Sequence, residues 1–136
     1  MKRWMKGLLA LALVLCLSAC AAVKMPNPAG SYTSKKDVAE FLHVYGQLPQ
    51  NFITKAEAEA LGWPGGDLTK YAPGKSIGGD RFGNYEGILP TDKKYRECDI
   101  DYKGGKRGAR RIVFSEDATY IYYTEDHYES FEQLYP

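Results

Sequence analysis

The sequence predicts an α+β domain, N-terminal helices packed on an antiparallel β-sheet. Two patterns lead there. Apolar residues recur at helical spacing between Ser34 and Gly62, and from Lys75 onward short segments alternate in steps of two. Helices first and a strand meander afterwards give an α+β layout with one helix laid across the sheet. Of the three cysteines only Cys98 falls inside this domain, so packing must hold it and not disulfides. About 100 residues rich in Tyr, Ile, Leu and Phe can build such a core.

The chain begins with residues of another kind. Met1 to Ala19 has a basic start (Lys2, Arg3, Lys6) and an apolar run from Leu8 to Leu17. That run is shorter than the ~20 residues of a membrane-spanning helix and fits a secretory signal. Its end, Leu17-Ser18-Ala19-Cys20, resembles the lipobox of bacterial lipoproteins, which implies cleavage before Cys20 and a lipid on that cysteine. Ordinary cleavage near Ala19–Ala22 is the alternative. Residues 1–19 thus read as a signal peptide, 20–33 as a flexible tether with two prolines and a glycine, and 34–136 as the domain. The product is expected outside the cell, released or lipid-anchored. Three of the 18 basic residues lie in the leader, which leaves 15 against 17 acidic ones, a net charge of −2. That balance argues against a protein that coats nucleic acid non-specifically.

In the domain, Ser34 reads as a helix N-cap with Asp37 three residues on. Val38, Phe41, Leu42 and Tyr45 follow on one face, and Gly46 ends the helix. His43 falls off that face and reads as a solvent-exposed residue. Thr54-Lys55-Ala56-Glu57 is a capping box that opens a shorter helix, closed by Gly62. Lys55 sits in its first turn, where the helix dipole disfavours a cation by ~0.3–1 kcal/mol. It either reaches solvent or is held there for an anion. Asp67 to Tyr71 is expected to add one helical turn. Tyr95 to Tyr102 alternates Cys98, Ile100 and Tyr102 against Glu97, Asp99 and Asp101, which makes Cys98 a small buried apolar group. Lys106, Arg107, Arg110 and Arg111, around a Gly104-Gly105 turn, supply cations for the acidic face. Thr119 to Tyr123 is the last expected strand and ends at Glu125-Asp126-His127-Tyr128.

Between the helices and this meander lies Ala72 to Gly87, APGKSIGGDRFGNYEG. Its glycines let the backbone approach a ligand closely. Phe82 offers a ring to stack on, Asn84 an amide and Glu86 a carboxylate, a set that suits guanine with its two adjacent donors and one acceptor oxygen. Tight turns between strands are the simpler reading of the same residues.

Glu97 and His127 carry groups suited to moving protons near neutral pH. Glu97 is thus a candidate base and His127 a candidate acid. Arg107, Arg111 and Lys55 are candidates to stabilise charge on phosphorus. Taken alone, Glu97 reads more simply as a salt-bridge partner of Arg107 or Arg111, and His127 as a turn residue. No Cys/His cluster has metal-ligand spacing, so neither a metal nor another cofactor is expected.

The blocks ITKAEAEALGW, the glycine-rich stretch, YRECDIDY and TEDHY occur in the order and nearly the spacing of bacterial guanyl-preferring ribonucleases of the barnase type. The chain resembles that family from about Val38 to Leu134. The resemblance implies Glu97 as general base, His127 as general acid, and Arg107, Arg111 and Lys55 as phosphate-binding cations. It implies guanine held by Glu86, flanked by Phe82 and Tyr128, with its oxygen on the amides of Gly83, Asn84 and Tyr85. Asp80 would pair with Lys55, and Asp99 would bridge Arg107 and Arg111. RNA is the implied substrate, a barstar-like inhibitor the implied protein partner, and a monomer the implied state. This chain departs from the family at Tyr85, in place of an arginine, at Lys106, in place of an aromatic, and at Arg110, in place of an acid. It also has one extra residue near Ala118. A binding lipoprotein that keeps the fold without turnover is the rival reading.

Overall fold

A computed structural model describes residues 24–136, so the leader and Cys20 lie outside the described residues. The domain contains helix α1 (Lys35–Tyr45) and a shorter helix α2 (Lys55–Ala60). Around them run strands β1 (Phe52–Ile53), β2 (Ser76–Phe82), β3 (Tyr95–Asp99), β4 (Arg111–Ser115), β5 (Ile121–Thr124) and β6 (Glu132–Tyr135). The strands form one six-stranded sheet in sequential order. Only the β1–β2 pairing is parallel.

Both helices start where the capping residues place them. Ser34 accepts from the Asp37 N–H, and Gly46 closes α1 with φ 71°. Such a cap contributes ~1 kcal/mol. In α2 both halves of the Thr54–Glu57 box are made, and Gly62 follows the C-cap with φ 100°. Val38, Ala39 and Leu42 of α1 pack on Cys98, Ile100, Ile112, Phe114 and Ile121 of one sheet face, each large side chain worth ~1.5–3 kcal/mol of burial. A second cluster (Ala58, Trp63, Leu68, Ala72, Ile77) seats α2 and the loop after it. On the opposite sheet face Leu89, Tyr95, Val113 and Tyr122 form a third cluster, edged by Phe82, Tyr128 and Phe131. The sheet is therefore covered on both sides, and the functional groups emerge at the rim of this second face.

The structure corrects several expected boundaries. Residues 20–33 read as a tether, yet from Pro26 to Thr33 the chain is docked. Tyr45 donates to the Pro26 carbonyl, Gln50 to that of Ala29, and Asn51 exchanges two hydrogen bonds with the Tyr32 backbone. The Thr33 carbonyl takes the Asp101 N–H, and β3 stops at Asp99 instead of running to Tyr102. Asp67 to Tyr71 gives a single hydrogen-bonded turn on the Leu68 carbonyl. The strand expected at Thr119–Tyr123 is displaced to Ile121–Thr124, because Ala118 makes a turn with φ 58°. Strands β1 and β6 were not expected: two residues and an exposed edge show no alternation to read.

Much of the glycine-rich stretch is strand rather than loop. A Cβ on Gly78 would lie 2.6 Å from the Phe52 ring and 2.7 Å from Cys98 Cβ, so glycine there permits close packing of β2 on its neighbours. Gly79, with φ 102°, makes the bulge that resets the register so that Asp80 stands opposite Glu97.

Candidate active site

Alternation along β3 puts Glu97 and Asp99 on the face opposite buried Cys98. The antiparallel register sets Asp99 opposite Arg111 and Glu97 opposite Val113. Asp99 is 2% exposed and Arg111 4%. Arg107 grips the Asp99 carboxylate with both arms, Nε at 2.7 Å and Nη2 at 2.9 Å, which holds its guanidinium more firmly protonated than usual. Its guanidinium also lies over the Trp63 ring, 5.8 Å from the centroid. Arg111 Nε is 3.0 Å from the same carboxylate but out of line for a hydrogen bond, so that contact is Coulombic. Arg111 Nη1 donates to the Gly108 and Arg110 carbonyls. One carboxylate thus fixes two guanidiniums, a cluster of net charge +1.

The rim comes from the turn after β5. Thr124 Oγ1 accepts the Tyr128 N–H and donates to Asp126, and Asp126 in turn takes the Ser130 hydroxyl and N–H. The Ser130 bonds, with help from Thr124, hold the Asp126 carboxyl down at about 2. This bonding fixes His127 and Tyr128 in left-handed backbone, φ 54° and 76°. Such conformations cost ~1–3 kcal/mol each in residues other than glycine and persist only where the surroundings hold them. The His127 N–H donates to the Ala109 carbonyl, which ties the turn to the arginine loop. His127 is exposed, and its ring lies 4.7 Å from that of Tyr128.

A cavity of about 410 Å³ opens between this turn and the loop after β2. Glu97, His127, Tyr128, Phe82, Gly83, Asn84, Tyr85 and Glu86 all line it, so eight sequence-derived candidates meet in one place. Glu97 accepts a 2.5 Å hydrogen bond from the Tyr128 hydroxyl. Burial first, and then that carboxylate, raise the Tyr128 phenol above the ordinary tyrosine range. Phe82 and Tyr128 meet each other at 5.0 Å, forming one continuous aromatic wall in place of the two sides of a slot. The Asn84 amide is spent inside its own loop, on the backbone of Leu89 and Pro90. Among the described residues the N–H groups of Asn84, Tyr85 and Glu86 have no protein acceptor, so they are free for a ligand. Glu86 is exposed and, among the described residues, without an ion-pair partner. The Tyr85 ring is 99% exposed and lies over Gly83, where a Cβ would come within 2.4 Å of it.

Arg107, Arg111 and Asp99 do not line the cavity, and Lys55 and Asp80 stand apart from it as well. Asp80 accepts the Lys55 backbone N–H at 3.0 Å, a hydrogen bond at the start of α2 and not an ion pair with the ammonium. The Lys55 side chain is exposed and does not line the cavity. Sequence reasoning missed the Tyr128–Glu97 bond, the Trp63 ring under Arg107, and Arg81, Ile88 and Phe131 in the cavity wall. Only Trp63, an aromatic at a turn, left any signal. Among the described residues no group of three His, Cys, Asp or Glu side chains is placed to hold a metal ion.

Residues 35–135 match the family model described as ribonuclease. This chain belongs to the ribonuclease family. A ribonuclease of Heyndrickxia coagulans is 50% identical over 101 residues, covering 71% of this chain and 92% of that one. A ribonuclease of Bacillus intermedius is equally similar, but the match covers 62% of its length. Guanyl-specific ribonuclease St of Saccharopolyspora erythraea is 48% identical over 56 residues, 39% of this chain and 54% of that protein. The α+β architecture, with α1 against the sheet, is that of microbial ribonucleases, and RNA is the substrate class the family implies.

Proposed function

We propose that this ribonuclease is a guanosine-preferring endoribonuclease that cuts single-stranded RNA by transphosphorylation without a metal. The observation that carries the reading is the shared cavity, in which Glu97 and His127 stand beside the free amides and carboxylate of the 84–86 loop. Glu97 removes the 2′-hydroxyl proton, and the oxygen attacks phosphorus to close a 2′,3′-cyclic phosphate. His127 protonates the departing 5′ oxygen, leaving a free 5′-hydroxyl. Each proton transfer contributes typically ~10²–10⁴-fold. Arg107 and Arg111, preoriented by Asp99, stabilise the charge that builds on the phosphorane. Lys55, exposed at the start of α2, adds charge from the flank.

Guanine fits the loop because Glu86 can accept both donors of its N1/N2 edge while a backbone amide meets the oxygen. The guanyl-specific relative supports this preference. The test is cleavage of RNA and of defined dinucleotides with chelator present. Retained activity favouring GpN supports the reading, and a strict metal requirement or indifference to the base overturns it.

The leader supports export, and Leu17-Ser18-Ala19-Cys20 supports a lipid on Cys20. An anchored protein partitions with membranes, and Cys20→Ser releases it or changes its processing. Recovery of the wild type wholly in the medium with an unmodified N-terminus contradicts the anchor.

A further inference from the structure

We propose that the loop from Lys103 to Arg110 binds the backbone phosphates of RNA downstream of the cleavage site. The first observation is where the positive charge lies. Residues 99–111 hold five basic side chains against two carboxylates, whereas the rest of the chain after Ala19 holds 10 basic against 15 acidic. A protein that is acidic elsewhere gathers an anion toward such a segment, since opposed fields around it focus attraction there.

The second observation is that the loop is built and not slack. Gly104 and Gly105 turn it with φ 98° and 73°. The Tyr102 hydroxyl donates to the Gly105 carbonyl at 2.9 Å and accepts the Leu68 N–H at 2.9 Å, and Asp67 takes the Gly105 N–H at 3.3 Å. A concavity of about 290 Å³ is held open by this bracing, lined by Tyr102, Lys103, Lys106, Ala109 and Arg110 among others. Arg110 is tied to Asp101 at 2.8 Å, but Lys103 and Lys106 are exposed and have no ion-pair partner among the described residues. Two unneutralised ammonium groups on a preformed loop suit the phosphodiester backbone, whose recognition needs charge more than base readout.

The third observation is direction. Ala109 lines this concavity, and its carbonyl accepts the His127 N–H, so the loop begins where the general acid stands. The acid protonates the 5′ oxygen of the departing strand, which places that strand on the His127 side of the scissile phosphate. Guanine lies on the other side, toward Glu86. The downstream phosphates therefore run toward Lys106 and Lys103. This inference rests on the proposed roles of His127 and Glu86.

The test compares GpA, GpApA and GpApApA, with ApApGpA as an upstream extension, for the wild type and a Lys103→Ala/Lys106→Ala variant. An unchanged unfolding midpoint will show that the variant is folded. For the wild type, kcat/KM should rise with each downstream phosphate, and the salt dependence should steepen by ~0.7 in log–log slope per phosphate neutralised. The variant should match the wild type on GpA and lose about two- to fivefold per added downstream phosphate, as exposed ion pairs do. Extension on the upstream side should be indifferent to the two lysines. Wild-type cleavage of GpA with a gain that the variant keeps overturns this proposal alone, and shows that the loop faces something other than RNA. An equal loss on GpA also overturns it, because the lysines would then act on the reacting phosphate. A wild type that fails to cut GpA overturns the assignment of the site, and this proposal with it.

Discussion

The Tyr128 hydroxyl donates a 2.5 Å hydrogen bond to the Glu97 carboxylate, linking the rim of the cavity to the strand that carries the proposed base. The bond orients Glu97 across the cavity, and the ring above it stays packed on Phe82. Tyr128→Phe keeps the ring contact and removes only the donor. A hydrogen bond to a charged group is worth ~1.5–3 kcal/mol, so kcat/KM should fall by about 10- to 100-fold with the fold intact. The phenol also gives a pH signature. Its folded-state affinity for the proton is raised, so its contribution to stability is complete below about pH 10 and is lost as pH rises beyond that. Denaturant titrations at rising pH should show the wild type losing stability more steeply than Tyr128→Phe. Parallel curves would mean that the phenol is not held as described.

Asp99 fixes two guanidiniums from a buried position, whereas Asp101 meets Arg110 at the surface. Asp99→Asn strands Arg111, only 4% exposed, without its counter-charge. Breaking a buried pair in this way costs ~3–5 kcal/mol, a large part of a typical domain's stability. Asp101→Asn should change stability by no more than ~1 kcal/mol. Urea unfolding of the two variants side by side measures the contrast, and comparable losses would refute the distinction.

Glu86→Gln leaves the loop backbone in place and replaces an acceptor pair by one acceptor and one donor. Cleavage after guanosine should drop far more than cleavage after the other bases. Dinucleotide kinetics across the four bases decide it, and an equal loss on all four would show that Glu86 does not read guanine.

The helix ends and the acidic strand face were legible because local chemistry decides them. Ser34, Gly46 and Thr54 act through bonds within a few residues, and Glu97, Asp99 and Cys98 separate by alternation alone. Contacts set by long-range packing were not legible. The Pro26–Thr33 segment has no periodicity, and it docks through residues far along the chain, Tyr45, Gln50, Asn51 and Asp101. Strand β6 exists because Tyr135 and Gln133 find partners on β5. The contact between Phe82 and Tyr128 depends on where the left-handed turn at residues 127 and 128 swings the second ring. No pattern in the chain encodes that angle. The resemblance carried the roles of Glu97 and His127, but the Asp80–Lys55 relation shows its limit, since the carboxylate meets the backbone of Lys55 and not its ammonium.

The most direct test of the central claim is product analysis of RNA and matched DNA with chelator present, for the wild type, Glu97→Ala and His127→Ala. The account expects RNA cut to a 2′,3′-cyclic phosphate and a free 5′-hydroxyl, and DNA left intact for want of the 2′-hydroxyl. Glu97→Ala should slow the reaction ~10²–10⁴-fold yet leave some activity, because Arg107 and Arg111 still stabilise the phosphorane. His127→Ala should hurt RNA more than a substrate whose leaving group needs no proton. Cleavage of DNA, dependence on a metal, or indifference to both substitutions would contradict the account.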